Sequence, residues 1–230
     1  MSADVEFTLL PALPLPGLTA HQALVVEYTW LSMAIIIVSL IAVIVSLKTV
    51  PRGLQNAFEL IVSFIEGYIT DIMGEKGLRY FPLVITAFTF ILVANYVGLI
   101  PGFISPTANI STTAGWAIVV FIFYQYVGVS KKGLKYFKHF LGPVPAMAPF
   151  MVVMETISEF ARPFSLAVRL FANIFGGEHI IALLFGIVGI GLPVVWMMWD
   201  SCITIPIQAF IFSLLTMVYL GGAIAADDEH

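Results

Sequence analysis

A short segment of the sequence, RLFANIFGGEH at residues 169–179, places four polar side chains in strongly apolar surroundings. The four are Arg169, Asn173, Glu178 and His179. A charged side chain at the centre of a bilayer costs roughly 2.5–3.5 kcal/mol on insertion scales, and such residues usually mark ion pathways. The helical turn around Arg169 contains no acidic residue. The segment therefore indicates an ion path in which the acidic partner of Arg169 belongs to another chain.

Further polar residues share a face with Arg169 if the stretch 149–190 is helical. At about 100° per residue, nearly every polar side chain from 155 to 173 falls within roughly 40° of Arg169. Glu178 falls on the opposite side of such a helix, and His179 falls roughly 80° away from Arg169. The polar stripe beside Arg169 consists of Glu155, Ser158, Arg162, Ser165 and Asn173.

A second, shorter stripe is expected on the next helix. Ser201, Thr204 and Gln208 lie within roughly 60° of one another at α-helical spacing, and Asp200 lies at their edge. These groups are polar enough to line an ion path beside the first stripe. For Gln208, and for Glu178 on the first helix, a simpler role as an interhelical hydrogen-bond partner stays open.

The two arginines of the first stripe also have simpler explanations. Arg162 follows Glu155 by seven residues and Glu159 by three, so it could be a paired charge near the cytoplasmic interface. Arg169 could extend its guanidinium to a membrane interface by snorkelling. The second explanation suits Arg169 poorly, because a long apolar sequence flanks it on both sides.

The composition indicates which elements must position these side chains. Of the 230 residues, 60% are hydrophobic and only 10% are charged, whereas soluble domains carry about 25% charged residues. Five runs approach the roughly 20 apolar residues that cross a bilayer. The sequence therefore predicts an all-α, polytopic membrane protein with five membrane-crossing helices. The runs are Trp30–Leu47, Phe81–Ile100, Thr112–Val129, Ile180–Trp199 and Ile203–Ile224.

The stretch that carries the first stripe is too long for an upright span. About 40 residues of helix extend roughly 60 Å at 1.5 Å per residue, whereas the hydrocarbon core of a bilayer is about 30 Å thick. We therefore expect a steeply tilted or bent helix that turns back into the last one as a helical hairpin. The glycines at 176, 177, 186 and 189 and the sequence Gly191-Leu192-Pro193 offer positions for bends and for the turn.

Another helix is predicted between the first two spans. Apolar residues recur at helical spacing from Leu54 to Ile72, with Asn56, Glu59 and Glu66 between them. This pattern is typical of an amphipathic helix that lies on a membrane surface. Asp71 belongs to the same polar face, and the other apolar positions are Phe58, Ile61, Val62, Ile65 and Ile69.

The basic residues predict the orientation. Eight of the ten lysines and arginines fall in the blocks 48–79 and 131–138, and loops rich in Lys and Arg face the cytoplasm. The N-terminus is then outside. The first 21 residues lack the basic region of a signal peptide and contain three prolines, so no spanning helix is expected there.

The chain is expected to form one membrane domain over residues 1–230, without a disulfide, because Cys202 is its one cysteine. Its parts are an outer segment (1–23), the first three spans with the interfacial helix (24–142), the tilted ion-path hairpin (143–226) and a cytoplasmic tail (227–230).

Ordered segments between about residues 80 and 225 carry a resemblance to a known family. They are NYVGLIPG at 95–102, PTANISTT at 106–113, ETISEFARPFSLAVRLFAN at 155–173, Gly177-Glu178, and QAFIF at 208–212 leading to TMVYL at 216–220. Together they resemble the a subunit of rotary ATP synthases. The resemblance implies a stator subunit that moves ions, taken as protons, through two offset half-channels in the bacterial cytoplasmic membrane. The steeply tilted helix pair fits the family's arrangement along a curved rotor ring.

The resemblance also implies roles for individual positions. Arg169 would be the stator arginine that faces the ring of c subunits, with Asn173 and Gln208 as polar neighbours. Glu178 would line the outer half-channel. The cytoplasmic half-channel would be lined by Glu155, Ser158 and Ser165.

The chain departs from the family pattern at one position. Seven residues before the glutamine, the family often carries a histidine or an acid that works with the glutamate, and this chain has Ser201. Asp200 and His179 are the nearest substitutes. The outer half-channel is therefore expected to be wired differently.

The partners implied are the c-subunit ring, the b subunit of the peripheral stalk, other ATP synthase subunits and the lipid bilayer. No cofactor, metal, nucleic acid or direct nucleotide binding is implied, and no GxxxxGK[ST] loop occurs. The chain would not be an enzyme by itself. A self-contained proton-coupled secondary transporter using Glu155, Arg169 and Glu178 is the alternative, although the polar stripe is not repeated as such folds often require. A purely structural membrane subunit would have no reason to keep Arg169.

The predicted orientation can be tested by labelling. Single cysteines introduced at Ser2, Lys135 and Glu229 are treated with an impermeant thiol reagent in intact cells. We expect position 2 to react and positions 135 and 229 to be protected, because the basic loops hold the latter two inside. Labelling at 135 without labelling at 2 would contradict this orientation.

Overall fold

The computed structural model describes residues 17–48, 53–100, 102–133, 148–189 and 191–225, and every regular element within these ranges is helical. Two 3₁₀ segments, Glu75–Tyr80 and Pro106–Ala108, and one π-helical turn, Asp200–Thr204, accompany the α-helices. The α-helices are α1 Ala20–Val45, α2 Leu54–Met73, α3 Phe81–Gly98, α4 Ile110–Lys132, α5 Ala148–Val188, α6 Gly191–Trp199 and α7 Ile205–Ala225.

Five helical stretches in the described part of the chain are long and apolar enough to cross a membrane. This number confirms the predicted all-α, polytopic class. The stretches are Ala20–Val45, Glu75–Gly98, Ile110–Lys131, Phe150–Val188 and Gly191–Ile224.

The first helix begins earlier than its apolar run predicted. α1 starts at Ala20 rather than Trp30, within the segment expected to be non-helical. The reason is a capping box, in which the Gln22 N–H donates to the Thr19 hydroxyl and the Thr19 N–H donates to the Gln22 side chain. The added turns are anchored because Tyr28 is fully buried and donates to the Gly102 carbonyl at 3.2 Å. Residues 1–16 of the predicted outer segment lie outside the described residues.

The predicted long helix is confirmed, and the run Ile180–Trp199 is not one helix. α5 continues for 41 residues, through Gly176 and Gly177, as far as Val188. Gly189 then has a φ of +74°, which glycine adopts without steric strain and which stops the helix. The chain resumes at Gly191 as α6, so the predicted fourth run is divided between the two arms of the hairpin.

The predicted amphipathic helix is present as α2. Its buried face contains Ile65, Ile69 and Met73. This face packs along the last helix, since the ring centroids of Tyr68 and Phe210 are 4.9 Å apart. The helix itself is thus confirmed, whereas its position on a membrane surface stays a prediction.

The core joins α2, α3, α4, α5 and α7. Aromatic contacts fix several of the helix pairs: Phe90 of α3 lies 4.9 Å from Trp116 of α4, and Phe121 of α4 lies 5.7 Å from Phe160 of α5, between ring centroids. α5 contributes one apolar face to this core and leaves its other faces uncovered. The buried residues of that face are Leu166, Ala167, Leu170 and Ile174.

Gly98 allows the end of α3 to approach the following loop closely. A Cβ atom at this position would overlap the Cβ of Ser105 and lie 2.8 Å from the Ser105 Cα. Because part of the obstacle is backbone, a larger side chain cannot be accommodated by a rotamer change. Gly115 on α4 has no atom within 4 Å of an added Cβ and serves as a comparison.

We therefore expect Gly98→Ala to destabilise the fold by about 1–3 kcal/mol, the usual range for overpacking. Gly115→Ala should have no destabilising effect, since alanine is the better helix former. The measurement is the thermal midpoint of the purified, assembled membrane complex for each variant. Equal midpoints for the two variants would show that the close approach at Ser105 is unimportant.

Candidate functional site

Arg169 lies on an exposed face of α5. Its neighbours in the next helical positions, Leu166 and Leu170, are buried in the core, so the helix is fixed with the arginine turned outward. Within the described part of the chain, Arg169 makes no ion pair or hydrogen bond. The cation is therefore presented to whatever packs against this face.

The predicted stripe follows the same face. Ser158 and Ser165 are exposed, and Glu155 and Asn173 are partly buried at its border with the core. The α-helix continues unbroken through all of these positions, so the expected alignment with Arg169 is retained. The face is thus polar and uncovered over about four turns, although the residues on either side of it are mostly apolar.

Arg162 differs from the rest of the stripe. Its Nη1 lies 2.8 Å from Glu159 Oε1, which confirms the paired-charge explanation for this arginine. Its Cζ also lies 5.6 Å from the ring centroid of Tyr219 on α7. Arg162 is thereby drawn away from the free face and toward the helix packing.

Glu178 and His179 occupy the far end of α5. Glu178 is partly buried on the side of the helix away from Arg169, as its spacing predicted. His179 is exposed, its Nδ1 lies 2.8 Å from the Phe175 carbonyl oxygen, and the two rings are 4.0 Å apart between centroids. The histidine is thus held against its own helix, and no hydrogen bond in the described chain connects it to Asp200.

The second predicted stripe requires a correction. Asp200–Thr204 forms a π turn, not an α-helix. A π turn contains an extra residue relative to the α-helix, so Ser201 is rotated relative to Gln208 by roughly one residue step, about 100°. Asp200, Ser201 and Thr204 therefore do not share the face of Gln208 that a continuous helix would give them.

A tyrosine stabilises the π turn from a neighbouring helix. The Ile205 N–H donates to the Asp200 carbonyl, which is the i to i−5 pattern. The next donor in that pattern would be Pro206, which has no N–H, so the Ser201 carbonyl loses its partner. The Tyr96 hydroxyl of α3 donates to this carbonyl at 2.8 Å. Pro206 was the available sequence signal for the disruption, but Tyr96 gave none, because it is 105 residues away.

Gln208 is buried, with 6% of its surface exposed, and the adjacent Ala209 is fully buried. No hydrogen bond joins Gln208 to Arg169 or Asn173 within the described residues. The structure thus brings Arg169 and Asn173 to one open face and places Gln208 in the packing of α7.

Two of the quoted motifs meet in a buried polar cluster that the sequence did not reveal. Asn95 of α3 accepts from the Thr107 hydroxyl, which lies 2.8 Å from the Ser105 hydroxyl. The Asn95 Nδ2 is buried without a hydrogen-bond partner in the described chain. In the same ranges no group of three or more His, Cys, Asp or Glu residues is placed to hold a metal ion.

Comparison with known proteins yields one consistent family. Residues 26–221 match the family described as ATP synthase A chain. ATP synthase subunit a 3 of Pelobacter propionicus is 45% identical over 207 residues, which cover 90% of each chain. ATP synthase subunit a of Geobacter sulfurreducens is 44% identical over 200 residues, or 86% of each chain. The matched range contains both polar stripes in full.

Proposed function

Because this chain belongs to the ATP synthase A chain family, we propose that it couples ion flow to rotor rotation through the exposed guanidinium of Arg169. The chain is the proton-translocating stator subunit of an ATP synthase and is not a catalytic subunit by itself. This assignment favours the stator over the self-contained transporter and the purely structural subunit.

The observation that carries the proposal is the environment of Arg169. The guanidinium is exposed, it has no acidic partner in the described chain, and the opposite side of its helix is packed in the core. An unpaired charge facing lipid would be costly. A carboxylate on a neighbouring ring of c subunits would supply the counter-charge, and the curved ring would fit against the long exposed face of α5.

The chemistry at this contact is an exchange of protons. A rotor carboxyl that faces lipid takes up a proton, because an isolated carboxylate is strongly disfavoured there. Opposite Arg169 its charged form is favoured, since a nearby opposite charge stabilises the carboxylate. Each rotor site therefore releases its proton on arrival and is loaded again after it has passed the arginine.

The polar residues of α5 lie on both sides of Arg169 along the helix, as two offset half-channels require. Glu178 is nine residues toward the C-terminal end, about 14 Å at 1.5 Å per residue, and Glu155 is fourteen residues the other way, about 21 Å. We assign Glu178, with His179 and Asp200, to the outer half-channel, and Glu155 to the cytoplasmic one. Ser158 and Ser165 join Glu155, and Asn173 and Gln208 are the polar neighbours of Arg169.

The fixed charge also separates the half-channels. A guanidinium stays protonated across the physiological pH range, so it repels a proton that would pass directly from one side to the other. A membrane potential of 100 mV supplies about 2.3 kcal/mol for each charge. Several protons must therefore cross for each ATP, and a leak past Arg169 would waste this driving force.

The remaining assignments concern location and neighbours. We place the chain in the bacterial cytoplasmic membrane, with the N-terminus outside and the C-terminus in the cytoplasm, from the distribution of basic residues. The c-subunit ring would cover the face of Arg169. The b subunit of the peripheral stalk would hold the chain stationary against the rotor.

The first functional prediction concerns Arg169 itself. Arg169→Ala removes the charge, and Arg169→Lys replaces the guanidinium fork with a compact ammonium group that loses its proton more readily. Both variants should abolish coupled ATP synthesis in assembled complexes. The alanine variant should in addition let protons leak through membrane vesicles stripped of the catalytic head, which simple misfolding would not produce.

Arg79→Ala is the matched control, because Arg79 is exposed in the 3₁₀ segment ahead of α3. This variant should assemble and synthesise ATP normally. Normal synthesis by Arg169→Ala would refute the proposed role and leave the arginine as an interfacial anchor.

The second functional prediction concerns the outer half-channel. Glu178→Gln keeps the size and polarity of the side chain but removes its titratable proton. We expect ATP-driven proton pumping to fall about 100-fold, the low end of what a positioned proton-transfer group contributes. The measurement is the initial rate of vesicle acidification at equal ATP hydrolysis. Normal pumping in Glu178→Gln, with loss of pumping in Asp200→Asn, would move the essential acid to Asp200.

A further inference from the structure

A buried acid that the proton path does not use lies between α4 and α5. Only 6% of Glu159 is exposed. Its Oε2 accepts from the Tyr124 hydroxyl at 2.6 Å and from the Gln125 Nε2 at 3.1 Å, and its Oε1 lies 2.8 Å from Arg162 Nη1. Both carboxylate oxygens are thus held by donors, two of them on α4 and one on α5.

The same cluster extends to a third helix. Arg162 lies over the ring of Tyr219 on α7, and the ring centroids of Tyr219 and Tyr124 are 6.1 Å apart. We refer to Tyr124, Gln125, Glu159, Arg162 and Tyr219 as the Glu159 cluster. Its polar and aromatic contacts connect α4, α5 and α7 at one level of the fold.

The cluster lies where the backbone of α5 is weakest. Pro163 is inside the helix and has no N–H to donate to the carbonyl of Glu159, four residues earlier. Proline is the commonest cause of a bend in a long helix, because the missing bond leaves the angle between the two halves less restrained. The side chain of Glu159 therefore attaches α5 to α4 in the turn where the helical ladder is interrupted.

Arg169 follows this interruption by six residues, about 9 Å along the helix axis. A change of 20° in the bend at Pro163 would move Arg169 sideways by roughly 3 Å, which exceeds the tolerance of about 1 Å for groups that must meet a reacting partner. The contact with a passing rotor site therefore depends on how firmly this turn is held.

We propose that Glu159 is a positioning residue, which clamps the tilted helix α5 to α4 at Pro163 and thereby sets the place of Arg169. This inference rests on the proposed function of Arg169. The role differs from that of a proton carrier, since the donors around Glu159 occupy both of its oxygens and the group is closed off from the exposed stripe.

The position of the helix can be measured without reference to activity. Nitroxide labels are attached at Ala172→Cys on α5 and Ile118→Cys on α4, both exposed sites, with Cys202→Ser as background and the complex assembled. The distance distribution between the labels is recorded for each variant. Proton pumping per ATP hydrolysed is measured separately in unlabelled complexes.

Glu159→Ala should broaden the distance distribution or shift its mean by about 3 Å, and should lower pumping per ATP by about tenfold or more. Glu159→Gln keeps an oxygen acceptor for Tyr124 and Gln125, so it should retain the native distance and pump within about twofold of the native rate. Glu66→Ala, which removes an exposed acid on α2, should leave both quantities unchanged.

Each alternative gives a different result. Loss of pumping in Glu159→Gln at an unchanged distance would overturn the positioning role and make Glu159 a proton carrier. A native distance and native pumping in Glu159→Ala would also refute the proposal. If that variant does not assemble, Tyr124→Phe removes a single hydroxyl, and native values for both quantities in this variant would refute it as well.

The test separates failure of this inference from failure of the proposed function. Arg169→Ala should keep the native label distance while pumping is lost, because it leaves the Glu159 cluster intact. If Arg169→Ala pumps normally, the function assigned to the arginine fails. A response of the distance to Glu159→Ala would in that case still show that Glu159 holds the helix.

Discussion

The rest of the structure depends on one constraint, which is that a guanidinium must be kept charged and reachable in an apolar environment. Arg169 meets this constraint because its helix is anchored by Leu166 and Leu170 on one side and is left uncovered on the other. A cation in this position is tolerable only if another chain brings a negative charge to it. The energetic cost of the exposed arginine thus becomes a requirement for a partner.

The long helix that presents Arg169 is restrained by its neighbours, because the backbone alone does not hold its course. Each arm of the hairpin contains a proline that removes one backbone donor, Pro163 in α5 and Pro206 at the start of α7. In both places a polar side chain from an earlier helix contacts the affected turn. Tyr124 reaches Glu159, and Tyr96 donates to the Ser201 carbonyl.

These two contacts explain how a hairpin of such length can keep a defined geometry. A bilayer offers no water to satisfy freed backbone groups, so irregular turns persist only where the protein supplies a partner. The π turn rotates Asp200 and Ser201 away from the face of Gln208, and the bend region at Pro163 lies between the stripe's serines and Arg169. The shape of the ion path is therefore set by α3 and α4, which carry none of the residues assigned to it.

The sequence by itself determined the all-α membrane class, the five spans, the length of α5 and the alignment of Ser158, Ser165 and Arg169 on one face. These features follow from apolar run length and from helical periodicity, which are local and regular properties. The family resemblance was equally visible, because its motifs are contiguous. The start of α1 and the division at Gly189 depended on single turns, which run length does not resolve.

Only the tertiary structure decided the surroundings of Glu159, the partner of the Ser201 carbonyl and the burial of Gln208. Tyr124 precedes Glu159 by 35 residues and Tyr96 precedes Ser201 by 105. No periodic pattern connects positions so far apart, and a contact of this kind exists only after the helices have packed. The π turn likewise replaced the α-helical spacing that the sequence predicted, because a missing proline N–H and a tyrosine on another helix together favour the irregular turn.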